Sequence, residues 1–511
     1  MTMHARTPGL MLYATIFVLT AIEFLQLSMV AFGAGPIMGE VSITPEDFSL
    51  IAAVYASVAI LVISMQRWFV TRLGGRLFIQ CATAVSLLGA VLCATSHDFA
   101  SFLLGRFVMA LGGGALFTSA RMIIHHRLAG PQRFMGIKAL AYGVALCISA
   151  GPWLAAQAVS NDTWSAIFWL LAIFDVLAFV LASRSLDNRL RGYEQGRSDW
   201  NPWLQVLLVG GSFGLLYALQ RFYYDFYGDV LFVASVLVAA LLGLIVYAHH
   251  QRLNQQPLLH IRPMLHPRYL AGLALFLFAY LMLGANNYVV PVMLQRTLGY
   301  SWETVGHFEA LGALAAVVTF TVVARLLPKH PAPRKFWITG FLALATFGAL
   351  LARLDPAADP WLHVLPALAC YNIFLLTVLP IAAMQAFRQM ENDETLFSNA
   401  QQVKNMLAQA GIALGISVAT LGQQWRTTVH YNMLNAQVSP DNPVYLATIQ
   451  HLQSALAASV GPVQAAQIAV ARVAQSLAQQ SALLANIDHF MLIAALGVLG
   501  IVVTLAQKIF R

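Results

Sequence analysis

Fourteen stretches of about twenty mostly apolar residues, parted by polar connections, constrain this chain more than any other feature. They begin near residues 10, 48, 77, 100, 136, 163, 202, 230, 270, 303, 336, 361, 399 and 489. A helix rises 1.5 Å per residue, so about 20 residues cross the roughly 30 Å hydrocarbon core of a bilayer. Only 10% of the 511 residues are charged and the mean hydropathy is +0.71, whereas a soluble domain carries about 25% charged residues. The expected fold class is therefore an all-α polytopic membrane protein with 14 transmembrane helices.

Charge sets the orientation. Lys and Arg counted on alternate connections give 23 on the side of the termini and five opposite, with Arg106 left inside the membrane. The larger set includes Arg6, Arg67, Arg121, Arg189, Arg191, Arg197, Lys329, Lys404 and Arg511. Basic residues favour the cytoplasmic side, so both termini of this multi-pass protein are expected there. The net charge of +8 follows from this sorting and implies no nucleic-acid partner.

Helix starts on the outer side are punctuated. Thr44-Pro45-Glu46-Asp47 supplies a hydroxyl cap, a proline in the first turn and two acids, and Ser301-Trp302-Glu303 repeats the pattern eight spans later. Two six-span halves separated by two extra spans are expected: a bundle over 1–198, linker helices over 199–268, and a second bundle over 269–511. The second bundle holds the one long connection, 426–488, expected as two outer helices. Asp441-Asn442-Pro443 starts the first, Gly461-Pro462 breaks it, and an Ala- and Gln-rich stretch to about residue 484 forms the second. Its low charge suits either an ordered connector or a surface for an outer partner.

Arg106 is the conspicuous charge. A guanidinium at the centre of a spanning helix costs about 2.5–3.5 kcal/mol on insertion scales, so it either faces a wet pathway or snorkels to the headgroups. The three glycines at 112–114 allow close backbone approach beside it. Helix rise places Glu23, Arg106 and Glu309 roughly 10 Å below the outer surface, in one layer. Gln26 shares the face of Glu23, while Asn286 and Asn287 reach a comparable depth and Asp175 and Gln409 lie deeper. Two readings of Glu23 and Arg106 stand: a proton-coupling pair, in which an approaching arginine makes the carboxyl release its proton, or a structural ion pair. Tyr55, Tyr288 and Tyr371 are candidates to line a permissive cavity, or equally to pack helices.

Other chemistries find little support. Cys81, Cys93, Cys147 and Cys370 lie in apolar segments without C-x-x-C spacing, and His125-His126, His249-His250, His260 and His266 lack ligand spacing. No metal is expected. There is no G-x-x-x-x-G-K-[ST] loop, and no cofactor is expected; a proton gradient would supply enough energy without nucleotide chemistry. A membrane enzyme would need a nucleophile, dyad or metal cluster, and none is legible.

Several stretches resemble the fourteen-span drug:proton antiporter branch of the major facilitator superfamily. QQPLLHIRPMLHPRYL at 255–270 resembles the family's lead-in to the ninth span, followed by NNYVVPVMLQRTLGYS at 286–301, and QQSALLANIDHFMLIAAL at 479–496 resembles its lead-in to the last. In the fifth span Gly143, Cys147, Gly151 and Ala155 recur every four residues beside Pro152, similar to the antiporter motif with alanines replacing its final glycines. The resemblance makes this face a sliding contact between halves; ordinary tight packing is the other reading. Thr71-Arg72-Leu73-Gly74-Gly75-Arg76 resembles the cytoplasmic turn whose arginines clamp helix ends, with Arg67 where a glycine is usual and Thr71 where an aspartate is usual. Plain positive-inside anchoring fits Arg72, Gly74 and Arg76 equally. Arg106 matches the arginine of the fourth-span motif without its glutamine follower.

The resemblance implies a major facilitator fold and proton-coupled export of small amphipathic or toxic compounds by alternating access. It also implies a periplasmic adaptor and an outer-membrane channel as candidate partners, beside protons, the small-molecule substrate and the lipid bilayer. A transporter of one metabolite, such as an aromatic acid or a siderophore, is the alternative. A non-transporting receptor or scaffold stands further off.

Overall fold

The computed structural model describes residues 9–161, 163–187, 200–224, 228–327, 332–355, 358–390 and 393–510. Arg6, Arg189, Arg191, Arg197, Lys329, Arg511 and the expected domain boundary at 198 lie outside them. The described residues form helices and no strand, and fourteen helices are long and apolar enough to cross a membrane. In chain order they are α1 (Leu10–Phe32), α2 (Pro45–Leu73), α3 (Gly75–Ala94), α4 (Phe99–Arg127), α5 (Pro131–Ser160), α6 (Ala166–Ser185), α7 (Pro202–Tyr224) and α8 (Val230–Leu253). Then come α9 (Pro267–Thr297), α10 (Trp302–Leu326), α11 (Pro333–Leu351), α12 (Pro360–Phe387) and α13 (Glu394–Asn435). The short α14 (Pro443–Val460) separates these from the fourteenth span, α15 (Pro462–Ala506).

The caps read from the sequence form. Thr44 accepts from the Asp47 amide at 3.1 Å while Asp47 accepts from the Thr44 amide at 3.0 Å, a reciprocal box that fixes the start of α2. Ser301 accepts from the Thr304 amide at 3.2 Å and starts α10. An even number of spans brings both termini to one end of the bundle, called here the terminal end; the α2 and α10 starts mark the opposite, loop end.

The last span departs from expectation. The second outer helix, expected to about residue 484, and the span expected from near 489 are one helix starting at Pro462, because the fall in hydropathy across 462–488 comes with helix-forming Ala and Gln and with no internal Gly or Pro before Gly497. Polarity changes there while the backbone stays helical. With 45 residues, α15 is about 67 Å long, and α13, with 42 residues, about 63 Å. Both outrun a bilayer core at the loop end. The Arg426 guanidinium donates to Asp488 at 2.7 Å and His430 pairs with the same carboxylate at 2.6 Å, tying the two projections together. The break at Gly461 is as expected: its φ of 81° suits glycine, and α14 ends there and folds back on α15.

Two helical groups share the core. In the first, α1 packs on α5 and α6, and α3 on α4 and α6; in the second, α9 packs on α12 and α13, and α11 on α12 and α15. They meet along two seams, α5 on α10 and α2 on α13. Gly306 of α10 lets the first seam close: a Cβ there would run into Ala156 and the Pro152 carbonyl of α5. Over the second seam lies α7, whose Gln220 donates to the Ser49 carbonyl of α2 at 2.9 Å and to Ser417 of α13 at 3.2 Å. Further along α7, Leu216 packs on Ala53, Ala56 and Ala413. The neighbouring α8 touches α7 and exposes Leu231, Leu242 and Ile245, as a lipid-facing helix must.

Candidate functional site

Two cavities lie end to end along α1, between α2 and α13. The one nearer the loop end is lined by Glu23, Gln26, Phe48, Tyr55, Arg106 and Gln409 among others. The smaller one nearer the terminal end is lined by Glu23, Ile63, Phe117, Thr118, Tyr280 and Asn405 among others. Glu23 and Gln409 belong to both walls. The Gln409 amide donates to Glu23 Oε1 at 2.5 Å, so one hydrogen bond between α1 and α13 stands where the two spaces join.

Arg106 shares the first cavity with Glu23, but its bonds go elsewhere. With the amide of Gln26 turned to satisfy its neighbours, the Gln26 carbonyl accepts from both terminal nitrogens of Arg106 at 3.1 and 3.2 Å, and its NH2 donates to the Tyr55 hydroxyl at 2.5 Å. The guanidinium lies over the Tyr55 ring at 4.4 Å and reaches the Met109 sulfur at 3.6 Å. Only 6% of Arg106 is exposed. A ring face and charge-assisted hydrogen bonds, each of about 1–3 kcal/mol, offset part of the cost of burying the charge. The expected direct partnership of Glu23 and Arg106 is thus replaced by Gln26, which lies three residues, almost one turn, along α1. The glycines beside Arg106 act as read: Gly112 meets the backbone of α3 at Ser86, and Gly114 lies against Ala59 of α2 where α4 breaks its helical run.

Toward the terminal end the second cavity is shut by bonds to α13. Asn405 donates to Thr118 at 2.6 Å, Gln402 to the Ile63 carbonyl at 2.8 Å, Arg121 to Gln401 at 2.8 Å, and Arg67 to Thr395 at 3.2 Å. Arg67 and Lys404, 7% and 0% exposed, are buried, and Arg121 is built into the seam. These three therefore do not act as the loop anchors that the charge count made them. The clamp across halves is formed by Arg67, where the resembling family has a glycine. Arg72 instead lies over Trp68 of its own helix at 4.0 Å. Gly74 ends α2 with φ 88°, a turn that glycine adopts without strain, and Arg76 follows in the first turn of α3.

The antiporter-like face packs within its own half. Gly143 meets Thr20, Gly151 meets Ser28, and the Cys147 carbonyl accepts from Ser28 at 3.4 Å, all on α1; Ala155 continues the buried stripe. The contact with the other half uses a neighbouring face of α5, where Pro152 and Ala156 meet Gly306 and Tyr142 pairs with Thr321 at 3.2 Å.

Glu309 does not line these cavities; its Oε1 is buried with no hydrogen-bond partner among the described residues. Asn286, Asn287, Tyr288 and Tyr371 also stand away from them. Tyr280 is the α9 residue on the wall, and six residues, about 240° of helical rotation, turn Asn286 away from it. Asn286 donates to Met282 in its own helix at 2.9 Å, and Tyr371 of α12 donates to the same carbonyl at 3.0 Å. Asp175 accepts from Ser86 at 2.9 Å, inside the first half. The residues missed by sequence reasoning sit on α13: Gln401, Gln402, Lys404 and Asn405. Their signal was a run of polar residues at helical spacing, beginning at Asn399 and ending at Gln409, inside a span.

A sequence model described as Major Facilitator Superfamily matches residues 16–416. The lincomycin resistance protein LmrB of Listeria monocytogenes is 24% identical over 66% of this chain and 70% of its own length. The colistin resistance protein EmrB of Acinetobacter baumannii is 20% identical over 84% and 83%. Among solved structures, tetrameric PepTSo2 superposes with a TM-score of 0.58 at 15% identity, covering 97% of both chains.

Proposed function

The chain belongs to the major facilitator superfamily, a multi-pass membrane transporter and not an enzyme, and on that footing we propose that it exports small amphipathic compounds in exchange for protons. The observation that carries the reading is the place of Glu23, a carboxylate at the junction of two cavities and within reach of both. In one state it faces the loop end beside Arg106; rearrangement of α1 against α13 gives it to the other side. That is the geometry a coupling acid needs for alternating access. One proton moving down about 100 mV and one pH unit yields about 3.7 kcal/mol, enough for a substrate gradient of roughly 500-fold.

The two helical groups serve as the moving halves, 1–198 and 269–511, with α7 and α8 as the linker over 199–268. The closed bonds at the terminal end describe the form shut toward the cytoplasm of a bacterial inner membrane. Relatives named for lincomycin, colistin and multidrug resistance favour toxic compounds as cargo over one metabolite. The test is a transport screen of chemically diverse compounds in everted vesicles under an imposed pH gradient, wild type against Arg106→Ala. Accumulation of several unrelated compounds by wild type supports export; uptake of a single metabolite overturns it.

For a periplasmic adaptor and outer-membrane channel, the docking surface we favour is α14 with the projecting part of α15, which expose Val444, Leu446, Val463 and Val470. Replacing α14 by a short linker separates the roles, since α15 itself continues into the membrane. Lost cellular resistance with intact vesicle transport supports docking, and unchanged resistance contradicts it.

A further inference from the structure

A third cavity, of about 280 Å3, lies next along α1 toward the loop end and shares the wall residue Ala31 with the one that holds Arg106. Its walls come from both helical groups: the end of α1 and the short helix Ala34–Glu40 after it on one side, the end of α9 and the start of α10 on the other. Phe32 and Trp302 meet edge to face there, with ring centroids 5.6 Å apart. Tyr300, which shares the wall, is held by its hydroxyl, which donates to the Ala358 carbonyl at 2.5 Å. The polar side belongs to the stretch NNYVVPVMLQRTLGYS at 286–301. Pro291 takes one amide out of the hydrogen bonding of α9, and the last turn, Met293–Thr297, is widened, the Leu298 amide donating to the Met293 carbonyl five residues back at 3.1 Å. Such turns are frequent at functional sites. Gln295 and Arg296, which follow each other in this turn, both line the cavity. The Gln295 NH2 is buried with no hydrogen-bond partner among the described residues, and Arg296 is exposed and has no ion pair among them.

Aromatic rings, two neighbouring donors and no carboxylate among the lining residues call for a ligand that is flat, apolar and negatively charged at one edge. A buried amide N–H without an acceptor is costly, and a guanidinium pairs with a carboxylate through two parallel bonds. The volume lies just under the range of drug-sized pockets, about 300–1,000 Å3, which suits a compact body. We infer that this cavity binds a small aromatic carboxylate, with Arg296 and the Gln295 NH2 taking the carboxylate and Phe32, Tyr300 and Trp302 the ring system. Binding there needs neither a proton gradient nor transport, so the site stands apart from the export reading.

The test is equilibrium dialysis of the full-length protein in phosphatidylcholine nanodiscs, with radiolabelled 2-naphthoate and its neutral match 2-naphthamide as probes. Wild type binds naphthoate about fivefold or more tightly than naphthamide, the strength expected of a charge pair partly open to water. Arg296→Gln loses that preference, and Arg296→Lys keeps part of it. Gly35 fixes the place. A Cβ there stands in ordinary contact, 3.5 Å from Trp302 and 3.9 Å from Arg296, so Gly35→Leu fits the fold while its branched end fills the cavity. That variant binds both probes about tenfold or more weakly. Equal binding of the two probes by wild type, no binding of naphthoate, an undiminished preference in Arg296→Gln, or undiminished binding in Gly35→Leu overturns the proposal. Displacement of naphthoate by dihexanoylphosphatidylglycerol at a lower concentration than by unlabelled naphthoate assigns the two donors to a lipid headgroup and overturns it as well.

Discussion

Glu23 and Gln409, on helices from opposite halves of the molecule, share a hydrogen bond of 2.5 Å in the wall common to the two cavities. A rearrangement that exposes Glu23 to the other side has to break it. Gln409→Leu leaves the carboxylate without that donor, and hydrogen bonds to charged groups contribute about 1.5–3 kcal/mol. The expected result is a fall in gradient-driven transport of about tenfold with normal membrane insertion, measured as initial rates in vesicles normalised to protein content. Unchanged rates would mean that the bond takes no part in coupling.

Arg67 and Thr395 meet at 3.2 Å across the α2 and α13 seam. Replacing Arg67 by Met removes a bond present only while the terminal end is shut, so the balance shifts toward the open form. With about 1.5–3 kcal/mol at stake for a charged donor, the open population rises roughly tenfold or more. A cysteine introduced at Thr118, in a background free of Cys81 and Cys370, should then react faster with a thiol reagent added from the terminal side. A protected Thr118→Cys in the Arg67→Met background would remove Arg67 from the gate.

Gly306 has Ala156 and the Pro152 carbonyl where a side chain would stand. Gly306→Val forces α5 and α10 apart, an overpacking that typically costs about 1–3 kcal/mol. A lowered thermal midpoint together with slower transport is expected. A control at Gly210, which has open space around it, changes neither. If Gly306→Val were as stable and active as wild type, the seam would be looser than described.

The fold was legible because burial in lipid leaves few options: thirteen of the fourteen helices start within five residues of where hydropathy puts them. The fourteenth continues, without a break, the outer helix that Gly461 and Pro462 were read to start, since hydropathy marks where a helix leaves the bilayer and not where its backbone ends. Helix rise gives a height along a span but not the direction in which a side chain faces. Glu23, Gln26, Tyr55 and Arg106 share a cavity wall, whereas Asn286, Tyr371 and Glu309 line neither cavity. Charge counting was misled at Arg67, Arg121 and Lys404, because a cation near a helix end looks the same in sequence whether it reaches headgroups or bridges two halves.

Glu23→Gln tests the central claim most directly. Everted vesicles loaded for exchange are compared with and without an imposed pH gradient, using any compound the wild type accumulates. Glutamine keeps the size and hydrogen-bonding capacity of the side chain but carries no titratable proton, so the account predicts that substrate exchange persists while accumulation driven by the gradient disappears. Full gradient-driven accumulation by Glu23→Gln would show that the proton travels by another group and would contradict it.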